Sequence, residues 1–496
     1  MKPFPGPVSS SSSSSIFPSA STLIARFLRS NGFTDTLNVF IREAGLPPDV
    51  GLGSSTCAAE ADDGWTIEEV IQEKKTFDKA LKFERYRDDE GSVSQKWSVP
   101  APYKPTIIQT PSCSNMLSVS VETWQCSSGS EGRLCPYIVA TGADRRLTLF
   151  ELTGSHEAAA SFAGISDSPV LSYVSVRNGK YLLATNMSGQ LLLLDGSVVL
   201  DKRKDHAKYV VKVAAYEKES SLLVATAGWD AKVLIYSLSL SGESPLAIGE
   251  PVANVRLETS PESILFVQNP DTDDLMLLAS RRDSTYLYYY GLPGPVGVAV
   301  RERNTPYQCR LRGKQNLAPH SNTWAAFSPS CLALSPHDPG LVAVALSTLP
   351  HMKIMIVRLL FPSPDGVDTT NIEEAPGSSE TQISQALEAL TLQNREDAAI
   401  IIQANTLAPQ TPYSIPQVVW RPDGSGLWVN GDDGLIRGIE AKTGKLVATL
   451  EDGHETGSTI RSIWAGWVNT VCNETEREEW LVSGGFDKRL IIWRAQ

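Results

Sequence analysis

The feature that most limits how this chain can fold is a short segment that returns three times. It reads VATGADRRLTLF at residues 139–150, VATAGWDAKVLIY at 224–236 and LVSGGFDKRLIIW at 481–493. In each copy a run of small and β-branched residues reaches a tight turn holding an Asp. An apolar residue follows three positions later, and an aromatic six positions later. Self-similarity of this kind marks units that cannot bury their own faces and must stack on neighbours. The same spacing places Asp144, Asp230, Asp283, Asp433 and Asp487 in turns, with weaker copies centred on Ser188 and His351. That makes seven units. The intervening runs are short, Val-, Ile-, Leu- and aromatic-rich, and punctuated by Gly, Asn, Asp and Pro, which argues for antiparallel sheets.

The recurrent carboxylate has a structural task. In a hairpin it can accept hydrogen bonds from turn amides, or from an imidazole in the preceding connection, where close packing excludes water. His206 and His454 stand before strands at the right distance for this, Thr226 and Ser483 lie four positions before Asp230 and Asp487, and Trp493 and Tyr236 add aromatic packing. The expected turn network is therefore Asp144, His206, Thr226, Asp230, Asp283, Asp433, His454, Ser483, Asp487 and Trp493.

These repeats resemble the WD40 family, most closely through His454, Ser483, Gly484-Gly485, Asp487 and Trp493. The resemblance implies an all-β seven-bladed propeller over residues 106–496. The chain ends three residues after Trp493, so the last blade needs a fourth strand, and Thr106 to Thr110 is placed to supply it. Closing the ring protects sheet edges. A polar Pro- and Gly-containing stretch, about 361–396, reads as an insertion in blade five on the face opposite the Asp turns.

The front end is helical. After a Ser-rich segment (1–19) with no core-forming residues, Leu23, Ile24, Phe27 and Leu28 repeat at helical spacing, Asn31-Gly32 breaks the pattern, and Phe33, Leu37, Phe40 and Ile41 renew it. Leu23-Ile24, Phe27-Leu28, Gly32-Phe33, Thr36-Leu37, Phe40 and Glu43 resemble the LisH motif, a small α-helical dimerisation module, over residues 20–46. Some twenty-five residues cannot make an adequate core alone. A homodimer through Leu23, Phe27, Leu28, Leu37, Phe40 and Ile41 is the expected partner arrangement. Residues 47–105 read as a linker carrying an amphipathic helix at about 66–88, whose stripe spans three heptads and is short for a coiled coil.

Composition narrows the function. The formal charge of -12, from 44 basic and 56 acidic residues, gives no global attraction to nucleic acid. Nucleic acid is thus expected to be engaged only indirectly. No apolar run reaches the length of a membrane span. Seven cysteines without CxxC spacing point to free thiols in a reducing compartment. Neither metal-ligand clusters, a phosphate-binding Gly-rich loop nor a nucleophile motif occurs, so neither cofactor nor catalytic residue is expected.

The partner-binding candidates are the residues just before the turns: Met187, Trp229, Arg282, Asp432 and Phe486. LisH followed by WD40 recurs in scaffolds of chromatin, ubiquitin-ligase and microtubule-motor complexes. The expectation is a non-enzymatic, intracellular dimeric scaffold whose propeller face recruits proteins or peptides. Chromatin or transcriptional regulation in the nucleus is preferred. Ligase assembly, motor regulation and, last, an enzyme with a propeller pocket are the alternatives.

Overall fold

A computed structural model describes residues 20–48, 50, 67, 97, 99–125, 134–218, 221–239, 246–293, 306–319, 327–362, 382–469 and 477–495. The chain forms two units, residues 1–83 and 84–496.

In the first unit, helices Ala20–Ser30 and Thr34–Glu43 are joined by a turn through Gly32, whose φ of 72° is a left-handed value that glycine adopts without strain. The Phe33 amide closes onto Leu28 O at 2.9 Å, and the Asn31 side chain donates to Phe27 O. Of the six expected interface residues, Leu23, Phe27, Leu28, Phe40 and Ile41 are half-buried. Leu37 is the exception. It is only 7% exposed in the single chain, so it has little area to offer a second copy. Among the described residues of this unit, Ile24, Phe33 and Val39 are the large exposed apolar side chains. The helix expected at about 66–88 lies outside the described residues, apart from Ile67.

The second unit is a seven-bladed all-β propeller. Six blades follow in chain order over residues 116–162, 170–204, 210–256, 261–316, 328–409 and 418–450. The seventh combines Ile460–Asn469, Arg477–Gly485 and Leu490–Arg494 with Lys104–Ile108, which pairs antiparallel with Leu490–Arg494 (Thr106 opposite Ile492). The ring thus closes by hydrogen bonds between the two ends of the domain.

The first strands of successive blades touch one another around the whole ring and so surround its axis. Six of the seven carry a bulge near their start, at the second residue in five and the third in blade five: Leu117, Leu171, Val211, Glu262, Ser330 and Arg461 are skipped in the pairing. The residue after three of these bulges is a serine that bonds the next blade. Ser172 Oγ accepts from Val213 N, Ser263 Oγ from Leu332 N and Ser462 Oγ from Val119 N, at 3.1–3.3 Å. Between blades the cores are apolar: Ile138, Phe150, Trp480, Val482 and Ile492, for instance, fill the seam between blades seven and one.

Two features depart from the sequence reading. The linker does not run to residue 105, because Trp97 is already docked: its ring lies 5.5 Å from that of Trp428 and under the Arg421 guanidinium. A Cβ added at Gly426 or Gly438 would collide with the Trp97 ring, so both glycines leave the space it occupies. Arg421, fully buried, holds this strap by donating to Pro100 O at 2.9 Å while paired with Glu479 at 2.6 Å.

Second, blade three gains a fifth strand, Tyr307–Gln308. It leaves the connection between blade four's last two strands and pairs parallel with Ala253–Arg256. The blade-five insertion ends in the helix that the spacing of Ile383, Leu387 and Leu390 allows, Gln382–Ala399, directly followed by the outer strand Ile400–Pro409. Glu396 and Gln393 on this helix bond Asn316 N and Pro319 O of blade four.

Candidate functional site: the turn face of the propeller

The Asp turns lie on one face, beside the starts of the first strands. There the residue before the turn position donates its amide to the preceding blade connection in five blades: Ala143 to Asn115 O, Met187 to Pro169 O, Trp229 to Tyr209 O, Arg282 to Ser260 O and Phe486 to Thr459 O, all at 2.9–3.0 Å. This repeated bond puts five side chains in equivalent places on the rim.

Beneath the rim, blade seven contains an unbroken donor chain. Trp493 Nε1–H donates to Ser483 Oγ at 2.9 Å, Ser483 lies 2.9 Å from His454 Nε2, and His454 Nδ1 lies 2.9 Å from Asp487 Oδ2. A carboxylate can only accept, so Nδ1 carries the proton and Nε2 accepts from the serine. Each bond polarises the next. Burial works to raise the Asp487 carboxyl pKa. The hydrogen bond from His454, with the amides of Glu455 and Arg489, outweighs it and holds the group below the ordinary carboxylate range.

Blade three repeats the arrangement with one change. His206 bridges Asp230 and Thr226, both at 2.9 Å, but the Tyr236 hydroxyl donates to Asp205 at 3.0 Å. Burial opposes ionisation of Asp230 as well, and His206 again outweighs it. Blade one substitutes Ser112, 2.6 Å from Asp144, for the histidine. Blade six uses Arg437, forked onto both oxygens of Asp433.

Asp283 does not join this set. The pairing in blade seven is symmetric about Asp487, with Gly484 and Leu490 three residues to either side. In blade four the last paired residues, Ala279 and Tyr288, lie four and five residues from Asp283, so the hairpin centre falls between Asp283 and Ser284. Asp283 takes the left-handed φ of 57°, its amide donates to Ser328 Oγ, and its exposed carboxylate accepts from no described residue. His351 is likewise no turn residue, because it starts the strand His351–Arg358.

The rim candidates divide. Met187 and Phe486 are 49% and 42% exposed. Trp229 is half-buried, its ring tilted against that of Tyr209 at 4.6 Å, with the Arg282 guanidinium 4.5 Å from its centre. Arg282 is also tied to Glu262 at 2.8 Å. These two residues therefore form one stack, not two free anchors. Asp432 is half-buried and accepts from the Ser414 hydroxyl.

Sequence reasoning missed Arg461. It occupies the bulge that holds Leu117, Leu171 and Val211 in blades one to three, and it has no hydrogen-bond or ion-pair partner among the described residues. Burial pushes its guanidinium down to about 10. The only available signal was a charge at the second position of a first strand, which becomes visible once the blades are aligned.

A separate cavity of about 940 Å³ opens beside Tyr286, Tyr288, Tyr290, Arg281 and Lys314. Its central cation is already engaged, since Arg281 bonds Tyr288 Oη, Thr259 and Glu258. Among the described residues no group of three or more His, Cys, Asp or Glu could hold a metal ion, and no helix is long and apolar enough to cross a membrane.

A closed propeller following a two-helix dimerisation-type module places the chain among LisH–propeller proteins, an architecture consistent with a protein-interaction scaffold. Residues 132–494 match the family described as UCP007778, beta-propeller domain, and residues 19–48 match UCP007778, LisH domain. The first match spans well over half of the chain, which belongs to that β-propeller family. No curated protein matches it.

Proposed function

We propose that this protein is a non-enzymatic dimeric scaffold: a WD40-like propeller that recruits proteins through its turn face, paired by the LisH helices. The observation that carries this reading is the exposure of Met187 and Phe486 on hairpins whose bases are locked by hydrogen bonds. Rigid loops presenting apolar side chains are good anchors, because little entropy is lost when they bind. Dimerisation would double the sites and raise their effective concentration for a bivalent partner. Chromatin or transcriptional complexes in the nucleus are the proposed setting. This part rests on the LisH–WD40 resemblance.

Two measurements test it. Replacing Leu28 and Phe40 together with Ser should shift the full chain from dimer to monomer mass in a light-scattering concentration series. An unchanged mass would remove the helices as the interface. Phe486→Ala should reduce recovery of co-purifying proteins several-fold with an unaltered melting temperature. Recovery equal to wild type would take Phe486 out of the binding face, and recovery of motor or ligase subunits in place of a nuclear complex would replace the proposed setting.

A further inference from the structure

Arg461 is half-buried, and no described residue pairs with its guanidinium. A partly desolvated ionised side chain is normally paired, because solvent balances its charge less fully. The other five bulge residues at the axis leave its charge unmatched. Leu117, Leu171 and Val211 are apolar, Ser330 is neutral, and Glu262 is tied to Arg282. Burial also raises the Glu262 carboxyl, with Arg282 working against that rise. The Cys331 thiol lies near Gln417 and Val418 O. Among the described residues, the mouth of the axis therefore carries a cation that no acid pairs, on the same ring of bulges as the apolar Leu117, Leu171 and Val211.

Its surroundings favour one kind of occupant. A free phosphate needs several converging N–H donors, whereas here a single planar guanidinium stands among apolar neighbours. A carboxylate delivered by a peptide can form the forked pair while its flanking residues cover the apolar rim. Phe486 is suitably near, since its amide bonds Thr459 O, two residues before Arg461, and its ring is exposed. With a net charge of -12 the chain exerts no long-range pull on an acidic partner, so selection has to be made by this local contact.

We propose that Arg461 makes the mouth of the propeller axis a receptor for one carboxylate side chain of an acidic peptide segment, flanked by an apolar residue packed on Phe486. This rests on the turn-face reading above and specifies its ligand chemistry.

The test uses the immobilised full chain and two pools of short synthetic peptides, identical except that the central residue is Glu in one and Gln in the other. All remaining positions are randomised over uncharged residues. Wild type should retain the Glu pool about ten-fold or more over the Gln pool. Arg461→Gln should abolish the preference, and Arg461→Lys should keep part of it. Phe486→Ala should lower recovery of both pools while preserving their ratio.

Equal recovery of the two pools by wild type, or a Glu preference that survives in Arg461→Gln, overturns the proposal. If the pools are equal but Phe486→Ala still lowers recovery, the turn face binds peptides and only the carboxylate claim fails. If neither variant changes anything, the turn-face reading fails too. Melting temperature gives an independent readout: Arg461→Gln should melt at or above wild type, because it removes an unpaired cation. A clear fall would instead mean that Arg461 is a structural residue, against the proposal. Inorganic phosphate that stabilises wild type but not Arg461→Gln, with the peptide pools equal, would assign the site to a free anion and overturn the peptide.

Discussion

Blades seven and four both turn on an Asp preceded by a residue that bonds the same neighbouring connection, yet the two carboxylates differ completely. Asp487 is the buried end of a donor chain from Trp493 through Ser483 and His454, whereas Asp283 is exposed and accepts from no described residue. Blade four fastens its hairpin differently, with Tyr288 Oη held between Arg281 Nε at 2.9 Å and Ser284 Oγ at 2.8 Å. The distinction comes from hairpin parity. An odd loop sets Asp at its centre, facing back toward the histidine. One further residue moves the centre off Asp283 and turns its carboxylate to water.

The comparison breaks most readily by deleting each carboxylate. Asp487→Ala should cost about 3–5 kcal/mol in urea denaturation, because it strands a buried imidazole and two amides. Asp283→Ala should stay within about 0.5 kcal/mol. Similar losses from the two would show that parity does not separate their roles.

A pH series sharpens the contrast. The Asp487 and Asp230 carboxyls are depressed in the folded protein, so their contribution is complete above the unfolded value near ~3.9. It is lost as pH falls through the folded value. Asp487→Asn should therefore flatten the loss of stability below about pH 4, and Asp283→Asn should leave the acid limb unaltered. An identical limb in all three proteins would mean that other carboxylates control acid unfolding.

The smallest effects concern the far ends of the two networks. Trp493→Phe removes the indole donor to Ser483, and Tyr288→Phe removes the hydroxyl shared by Arg281 and Ser284. Each should cost about 1–2 kcal/mol. A Tyr288 effect near zero would indicate that blade four is held by packing alone.

Much of the architecture was legible because it depends on local spacing. The Asp-to-aromatic interval revealed the units, and the lack of a last strand after Trp493 pointed to the closing segment, found at Lys104–Ile108. Trp97 was not legible. Its neighbours are polar and Pro-rich, and its pocket is made by Gly426 and Gly438, more than three hundred residues away. Trp229 had the right position, but its stacking on Tyr209 and Arg282 depends on the neighbouring blade. Leu37 fitted the helical stripe, and only burial in the folded chain withdrew it from the free surface.

The sequence by itself determined the repeat and the helical front, since periodicity and turn chemistry act over a few neighbouring positions. Tertiary structure decided which carboxylates are paired, which aromatics are free and that Arg461 has no partner among the described residues. Those outcomes depend on whether groups from distant blades supply a partner or exclude water, and distance along the chain does not encode either.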